Sequence, residues 1–137
     1  MTTGATLDQI RAVNSSAAFN TWAGFEVTQV TPGEVWLELP WRAEFGQYAG
    51  FLHAGMVGAL IDTACGFAAA TIAGAVLASQ YQVLCYAPAV GDRFRAIGRV
   101  TKAGRRQIFA AAELFAITAT GEQLVAGGTA ILITTGT

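Results

Sequence analysis

Hydrophobic and polar positions along the chain alternate with several distinct periods. Leu7, Ile10, Val13 and Ala17 fall three or four residues apart, which places them on one side of a short helix. Thr6-Leu-Asp-Gln9 fits a capping box, Thr6 as N-cap and Gln9 reaching back. Asn14-Ser15-Ser16 weakens this helix, and Asn20-Thr21 is expected beyond its end. Phe25 to Thr31 is β-like, Pro32-Gly33 is a turn, and Glu34 to Pro40 alternates strictly. Val35, Leu37 and Leu39 take one face of that strand, and Glu34, Trp36 and Glu38 take the other. Trp41 to Gly50 reads as a loop. From Ala54 to about Ala73 the apolar residues Met56, Val57, Leu60, Ile61, Ala64, Phe67, Ala68 and Ile72 spread around most of a helix, which predicts burial on most sides. Gly74 is the expected stop. Four further strands are predicted over 76–86, 92–102, 106–117 and 122–133. Their turns are marked by Pro88-Ala-Val-Gly91, Ala103-Gly104 and Thr120-Gly121.

These elements amount to an N-terminal helical arm over 1–24 and one domain over 25–137. A hairpin, one long buried helix and a meander predict an α+β fold in which a curved antiparallel sheet wraps the helix. No charged residue occurs from Thr63 to Gly91, a run long enough to span a bilayer. Gln80, Gln82 and Pro88 interrupt it and no Lys or Arg cluster flanks it, so a buried helix followed by a strand fits better than a membrane span.

Composition adds an expectation about assembly. Of 137 residues, 53% are hydrophobic and 12% charged, too few charges to cover a monomer, so part of the exterior is expected to be buried by self-association. A net charge of −1 argues against general nucleic-acid affinity. Cys65 and Cys85 do not make a disulfide framework, and the N-terminus does not read as a signal peptide; a reduced, cytoplasmic setting is expected. Two cysteines and one histidine are too few for a metal site.

The chemistry concentrates between Gln47 and Gly66. This stretch holds the single histidine, His53, and one acid, Asp62, inside the apolar helix. A carboxylate there must be paired, hydrogen-bonded or protonated. By itself it fits either a hydrogen-bonded group at a subunit interface or a catalytic group. His53 by itself fits a structural loop histidine as readily as a working one.

Three features in order resemble the hotdog-fold acyl-CoA thioesterases, in particular the phenylacetic-acid-degradation and 4-hydroxybenzoyl-CoA thioesterase-like branch. They are Gln47-x5-His53-Ala-Gly55 with Asp62 nine residues past the histidine; Tyr81 to Asp92, ending in Pro88-Ala-Val-Gly91-Asp92; and Gly104-Arg105-Arg106 with a last strand carrying Ala126-Gly-Gly-Thr-Ala130. The resemblance runs from about Phe25 to Ile133. It implies a hotdog fold, homodimers whose sheets join edge to edge, often paired into homotetramers, and active sites at the dimer interface. It implies an acyl-CoA substrate with a medium-chain or aromatic acyl group. Coenzyme A is then part of the substrate and no separate cofactor is needed.

The roles it implies are definite. The helix start at Ala54 and Gly55 would bind the thioester oxygen, where unpartnered amides and the helix dipole favour negative charge. Asp62 would activate water or attack directly. Gln47 would hold the carbonyl or the water, and His53 would position the loop. Ala54 and Asp62 are ~12 Å apart along one helix at 1.5 Å per residue, too far to serve one thioester, so two subunits are required. Relatives often carry a water-orienting Ser or Thr where this chain has Gly66 and Ala78. Arg105 and Arg106 are candidates for the phosphates of coenzyme A, and a solvated strand face is the alternative for the arginines of the late strands. Phe51, Leu52 and Met56 are candidates for an acyl pocket, with core packing as the alternative. A non-catalytic acyl-CoA-binding module and a hotdog hydratase or dehydratase are the competing functions; the latter would need an Asp-x-Asn-x-x-His-like loop, which the sequence lacks.

Overall fold

The structure, a computed structural model, describes residues 4–136; residues 1–3 of the expected arm and residue 137 lie outside it. The arm is helix α1 (Leu7–Ser16) followed by α2 (Ala18–Ala23). The domain contains β1 (Glu26–Thr31), β2 (Glu34–Pro40), a 3-10 turn at Ala43–Phe45 and α3 (Ala54–Ala73). It continues with β3 (Val76–Cys85), β4 (Arg93–Ala103), β5 (Gln107–Thr118) and β6 (Gly121–Thr134). The six strands form one antiparallel sheet in the order β1-β2-β4-β5-β6-β3, curved around α3. Bulges at Val27/Gln29, Ala78/Gln80, Val100/Lys102 and Leu114/Phe115 supply bends where the sheet must wrap the helix.

The core lies between α3 and the concave face. Val35, Leu37, Leu39, Phe94, Ala96, Ile108 and Leu114 meet Leu60, Ile61 and Ala64 of the helix, all of them buried. The helix comes so close at Gly98 of β4 that a Cβ there would stand 2.3 Å from the Ala64 carbonyl oxygen. Only glycine fits. Ile72, expected in the core, is 46% exposed, while Thr71 beside it is buried. Thr71 takes the core position because its hydroxyl has two partners, donating to the Ala68 carbonyl (2.6 Å) and accepting from the Gly33 N–H (2.8 Å). The end of α3 is thereby tied to the β1–β2 turn.

The convex face carries the charge. Glu38, buried among the sheet's polar side chains, accepts from Arg93 at 2.8 Å and Arg95 at 3.0 Å. Arg93 continues to Glu26 and Arg95 to Glu122, while Arg99 reaches Glu34 and, more loosely, Glu113. The arginines of β4 are thus an ion-pair ladder across the outside of the sheet.

The arm continues past the end expected for it. Asn20 and Thr21 sit inside α2, because Phe19 and Trp22 of that turn pack on Phe25 and Phe45. Arg42 stacks on both Trp22 and Phe45 and donates to the Trp22 carbonyl at 3.0 Å. Arg11 and Asn14 donate to Val27 and Phe25 carbonyls of the first strand region. Tertiary contacts therefore outweigh the weak helix propensity of the segment.

Strand β3 is the exception to the buried pattern. It pairs only with β6 and leaves its other edge uncovered among the described residues. Leu77, Tyr81 and Leu84 on it are between 49% and 68% exposed. One helix, Ala54–Ala73, is long and apolar enough to cross a membrane, but most of its apolar window is buried in this fold.

Candidate active site

The loop before α3 is built around Gln47. Its backbone N–H donates to the Phe51 carbonyl (2.8 Å), and its carbonyl accepts from the Gly50 N–H (2.9 Å). Gly50 has φ +84°, which this tight return requires. The Gln47 side-chain oxygen is consumed inside the same loop, accepting from the Ala49 and Phe51 N–H groups. Its amide Nε2 has no partner among the described residues and is left as a donor. Leu52 and His53 are pinned from behind by the Ala89 and Phe45 carbonyls.

His53 is the N-cap of α3. Its backbone is extended, and its Nδ1 accepts from the Gly55 N–H at 2.8 Å. A Cβ at position 55 would lie 2.9 Å from Nδ1, so Gly55 makes room for the capping ring. The cap takes the second amide of the helix. The first amide, on Ala54, has no partner among the described residues and remains a donor at the positive end of the helix dipole. Gln47, Phe51, Leu52, His53 and Ala54 share one open cavity of about 460 Å³ with the segment after β3, Tyr86 to Ala89.

Asp62 opens into a different cavity. It is half-buried and has no hydrogen-bond or ion-pair partner among the described residues. Burial pushes its carboxyl above the ordinary aspartate range. The cavity beside it, about 550 Å³, lies between the second half of α3, the start of β3 and the arm. Thr63, Gly66 and Ala78 line it with Asp62. Ser79 is not among its walls, and its hydroxyl donates to the Ile131 carbonyl at 3.3 Å. Among the described residues Thr63 is therefore the one hydroxyl that lines this cavity with Asp62. Cys65 is no nucleophile: it is fully buried, and burial together with the Asp62 charge pushes its thiol up to about 12.

The residues singled out in the sequence thus fall into two groups within one chain. Gln47, Phe51, Leu52, His53 and Ala54 converge; Asp62 stands apart in its own cavity. Met56 joins neither and is packed in the core, 8% exposed. Arg105 and Arg106 are exposed at the β4–β5 turn and have no ion-pair partner among the described residues. The Arg106 carbonyl accepts from Thr134, which pairs with Val76, so this turn lies at the end of the sheet where β3 begins. That is the end away from the Gln47 loop of the same chain. Among the described residues no group of three His, Cys, Asp or Glu side chains could hold a metal.

The cavity beside Asp62 was not foreseen in the sequence. Two of its walls, Ile10 and Val13, come from the arm, about fifty residues away. The available signal was the row Gly66, Ala70, Gly74 at four-residue spacing, which leaves one side of α3 without bulk.

A thioesterase family protein from Silicibacter pomeroyi shares 33% identity, with 90% of this chain and 93% of that one covered and a TM-score of 0.88. Thioesterase superfamily member 2 of zebra fish shares 25% identity over 93% and 96% of the chains, with a TM-score of 0.80. The PaaI protein of the E. coli phenylacetic acid degradation operon, at 20% identity, has the same fold over 92% and 90% of the chains (TM-score 0.83). No curated protein matches. The family model described as the thioesterase superfamily matches residues 49–121, from the loop before α3 to the β5–β6 turn. A six-stranded antiparallel sheet wrapped around one long helix is the hotdog fold of these neighbours, and the chain belongs to the thioesterase superfamily.

Proposed function

We propose that the protein hydrolyses an acyl-CoA thioester to the free acid and coenzyme A, at sites shared between two copies. One observation carries the reading. The free Ala54 amide and the unpartnered Asp62 carboxylate lie on one helix, yet open into separate cavities, while the apolar edge of β3 stands uncovered. Joining two sheets through β3 would bring the helix start of one copy to Asp62 of the other.

In that arrangement the thioester oxygen accepts from the Ala54 N–H and from Gln47 Nε2. Water attacks the carbonyl carbon while Asp62 of the second copy takes its proton. The tetrahedral oxyanion collapses, the C–S bond breaks, and the proton held by Asp62 passes to the departing thiolate. Direct attack by Asp62, giving an anhydride that water then opens, uses the same geometry. His53 positions rather than reacts: its Nδ1 lone pair is committed to the Gly55 N–H, which keeps the Ala54 amide aimed outward. An amide donor of this kind is worth about 10²–10³ in rate, and a positioned base about 10²–10⁴. Arg105 and Arg106, free of ion pairs, are the cations available for the nucleotide phosphates of coenzyme A. Pairing of two such dimers into a tetramer belongs to the same reading, and a cytoplasmic site suits two free thiols, Cys65 and Cys85.

The test is complementation. Asp62→Ala and Gln47→Ala chains, each inactive as homodimers, are mixed and thiol release from acyl-CoA is followed. Mixed dimers should regain about one working site. No recovery in verified mixed dimers would count against a shared site. A second reading, an acyl-CoA-binding module without turnover, draws on Gly66 and Ala78, which put no hydroxyl at two walls of the Asp62 cavity. Tight acyl-CoA binding with no thiol release by the unmodified protein would favour it.

A further inference from the structure

The cavity beside Asp62 is larger than the one at the Gln47 loop, and its walls are mostly apolar, with Gln9, Asn20, Asp62 and Thr63 as the polar exceptions. We propose that it holds the acyl group, and that the N-terminal arm, through Ile10 and Val13, sets how long an acyl chain the enzyme accepts. This rests on the thioesterase reading above and names its substrate class: an unsubstituted apolar acyl group, with no hydroxyl or charge at its far end.

Three observations support this. The polar Asp62 carboxylate stands in the wall of the cavity, so a carbonyl carbon beside it would leave the acyl tail to run along apolar side chains. The volume is within the range of small-molecule sites, roughly 300–1,000 Å³, and it exists because the helix carries Gly66, Ala70 and Gly74 where larger residues would fill it. A Cβ built at Gly66 meets nothing within 4 Å, so the space is open at that wall. The opposite wall is the arm. Val13 is 52% exposed, an apolar side chain on a solvent-facing helix position that gains cover once the cavity is occupied. The arm is held in place by Ala5 donating to the Thr71 carbonyl and by Asn14 donating to Phe25, so its distance from α3 is fixed by hydrogen bonds. Gln9 and Asn20, polar residues at the arm side, are already engaged with Thr6 and Asn14 respectively.

Two variants fill the cavity from opposite walls, Gly66→Val from the helix and Val13→Trp from the arm. Thiol release is measured on a series of straight-chain acyl-CoAs from acetyl to dodecanoyl, with the oligomeric state checked by light scattering. The expected result is that in both variants the ratio of kcat/KM for the longer to the shorter members falls at least about tenfold, a discrimination that a few methylenes can supply. An unchanged chain-length profile in two folded variants would overturn the proposal. So would a uniform loss across the series together with loss of the dimer, which would mean that the second copy fills the cavity. Failure of the unmodified protein to hydrolyse any member is a separate outcome: it removes the thioesterase reading and the inference with it.

Discussion

Replacing Gly98 by alanine tests whether the closeness of helix and sheet is what sets the site. The added Cβ would sit 2.3 Å from the Ala64 oxygen and 2.6 Å from its carbonyl carbon, both backbone atoms that cannot rotate away. Ordinary contact begins near 3.4 Å. The helix must therefore retreat by roughly 1 Å, or the strand must bend by as much. Overpacking of a core costs about 1–3 kcal/mol, and a backbone clash belongs at the upper end, so about 3 kcal/mol is expected. For a chain of this size that corresponds to a fall in Tm on the order of 10 °C. Ala64 is two residues from Asp62, so the retreat also carries the carboxylate. A shift of ~1 Å in a reacting group costs about 10²-fold in rate. The assay is thermal and urea unfolding at one fixed protein concentration, with thiol release measured on the folded fraction. The companion is Gly66→Ala, where the new methyl meets nothing and a helix-interior Gly→Ala exchange should raise stability by up to about 1 kcal/mol. If Gly98→Ala unfolds within about 0.5 kcal/mol of the natural protein, the close approach is not the constraint described here.

Other expectations concern the site and the ladder. Burial raises the Asp62 carboxyl, so the ionised form is the costly one: stability from this group is greatest below the ordinary aspartate range and falls as pH rises from there through the raised folded-state range. Asp62→Asn should therefore be at least as stable as the natural protein at neutral pH, lose about 10²–10⁴ in kcat, and lose the acid limb of the pH–rate profile. That limb should lie above the usual carboxylate range, and a limb that persists in the variant would refute the assignment. His53→Asn can still cap α3 and should keep more activity than His53→Ala, which loses about 1 kcal/mol of helix stability as well; equal activities would show that capping is not the role of this residue. Glu38→Ala strips the two guanidiniums at 2.8 and 3.0 Å of their shared carboxylate and should cost about 2 kcal/mol, read from the urea midpoint.

What could be read in advance follows from how local the cause is. Helix α3 and the strands announce themselves through period and punctuation, because burial on one face or all round is written into neighbouring residues. Thr6 and Gln9 form the expected capping box, since both partners lie within one turn. The second arm helix could not be read, because Asn20 and Thr21 oppose it and only the distant Phe25, Phe45 and Arg42 hold it. Thr71 displaced Ile72 from the core for the same reason: its partner, Gly33, is 38 residues away. At the site, one acid in an apolar helix and a histidine before its first turn were visible, and the structure puts them in separate cavities of one chain. The cavity beside the acid was not visible, because arm, helix and strand each contribute only part of its wall.

The position of β3 bears on how the chain reaches this state. It is made between α3 and β4, yet its sole partner among the described residues is β6, the last of these strands in chain order; Val76 pairs with Thr134 and Cys85 with Ala126. Until β6 exists, β3 has neither edge satisfied, and Leu77, Tyr81 and Leu84 have no settled surroundings. Closure over such sequence separations is slow, and an apolar strand left waiting invites pairing with the wrong chain. A chain stalled before residue 121 therefore has β3 without the partner it pairs with in this fold, and slow arrival of the fourteen-residue strand β6 is expected to lower the yield of native protein.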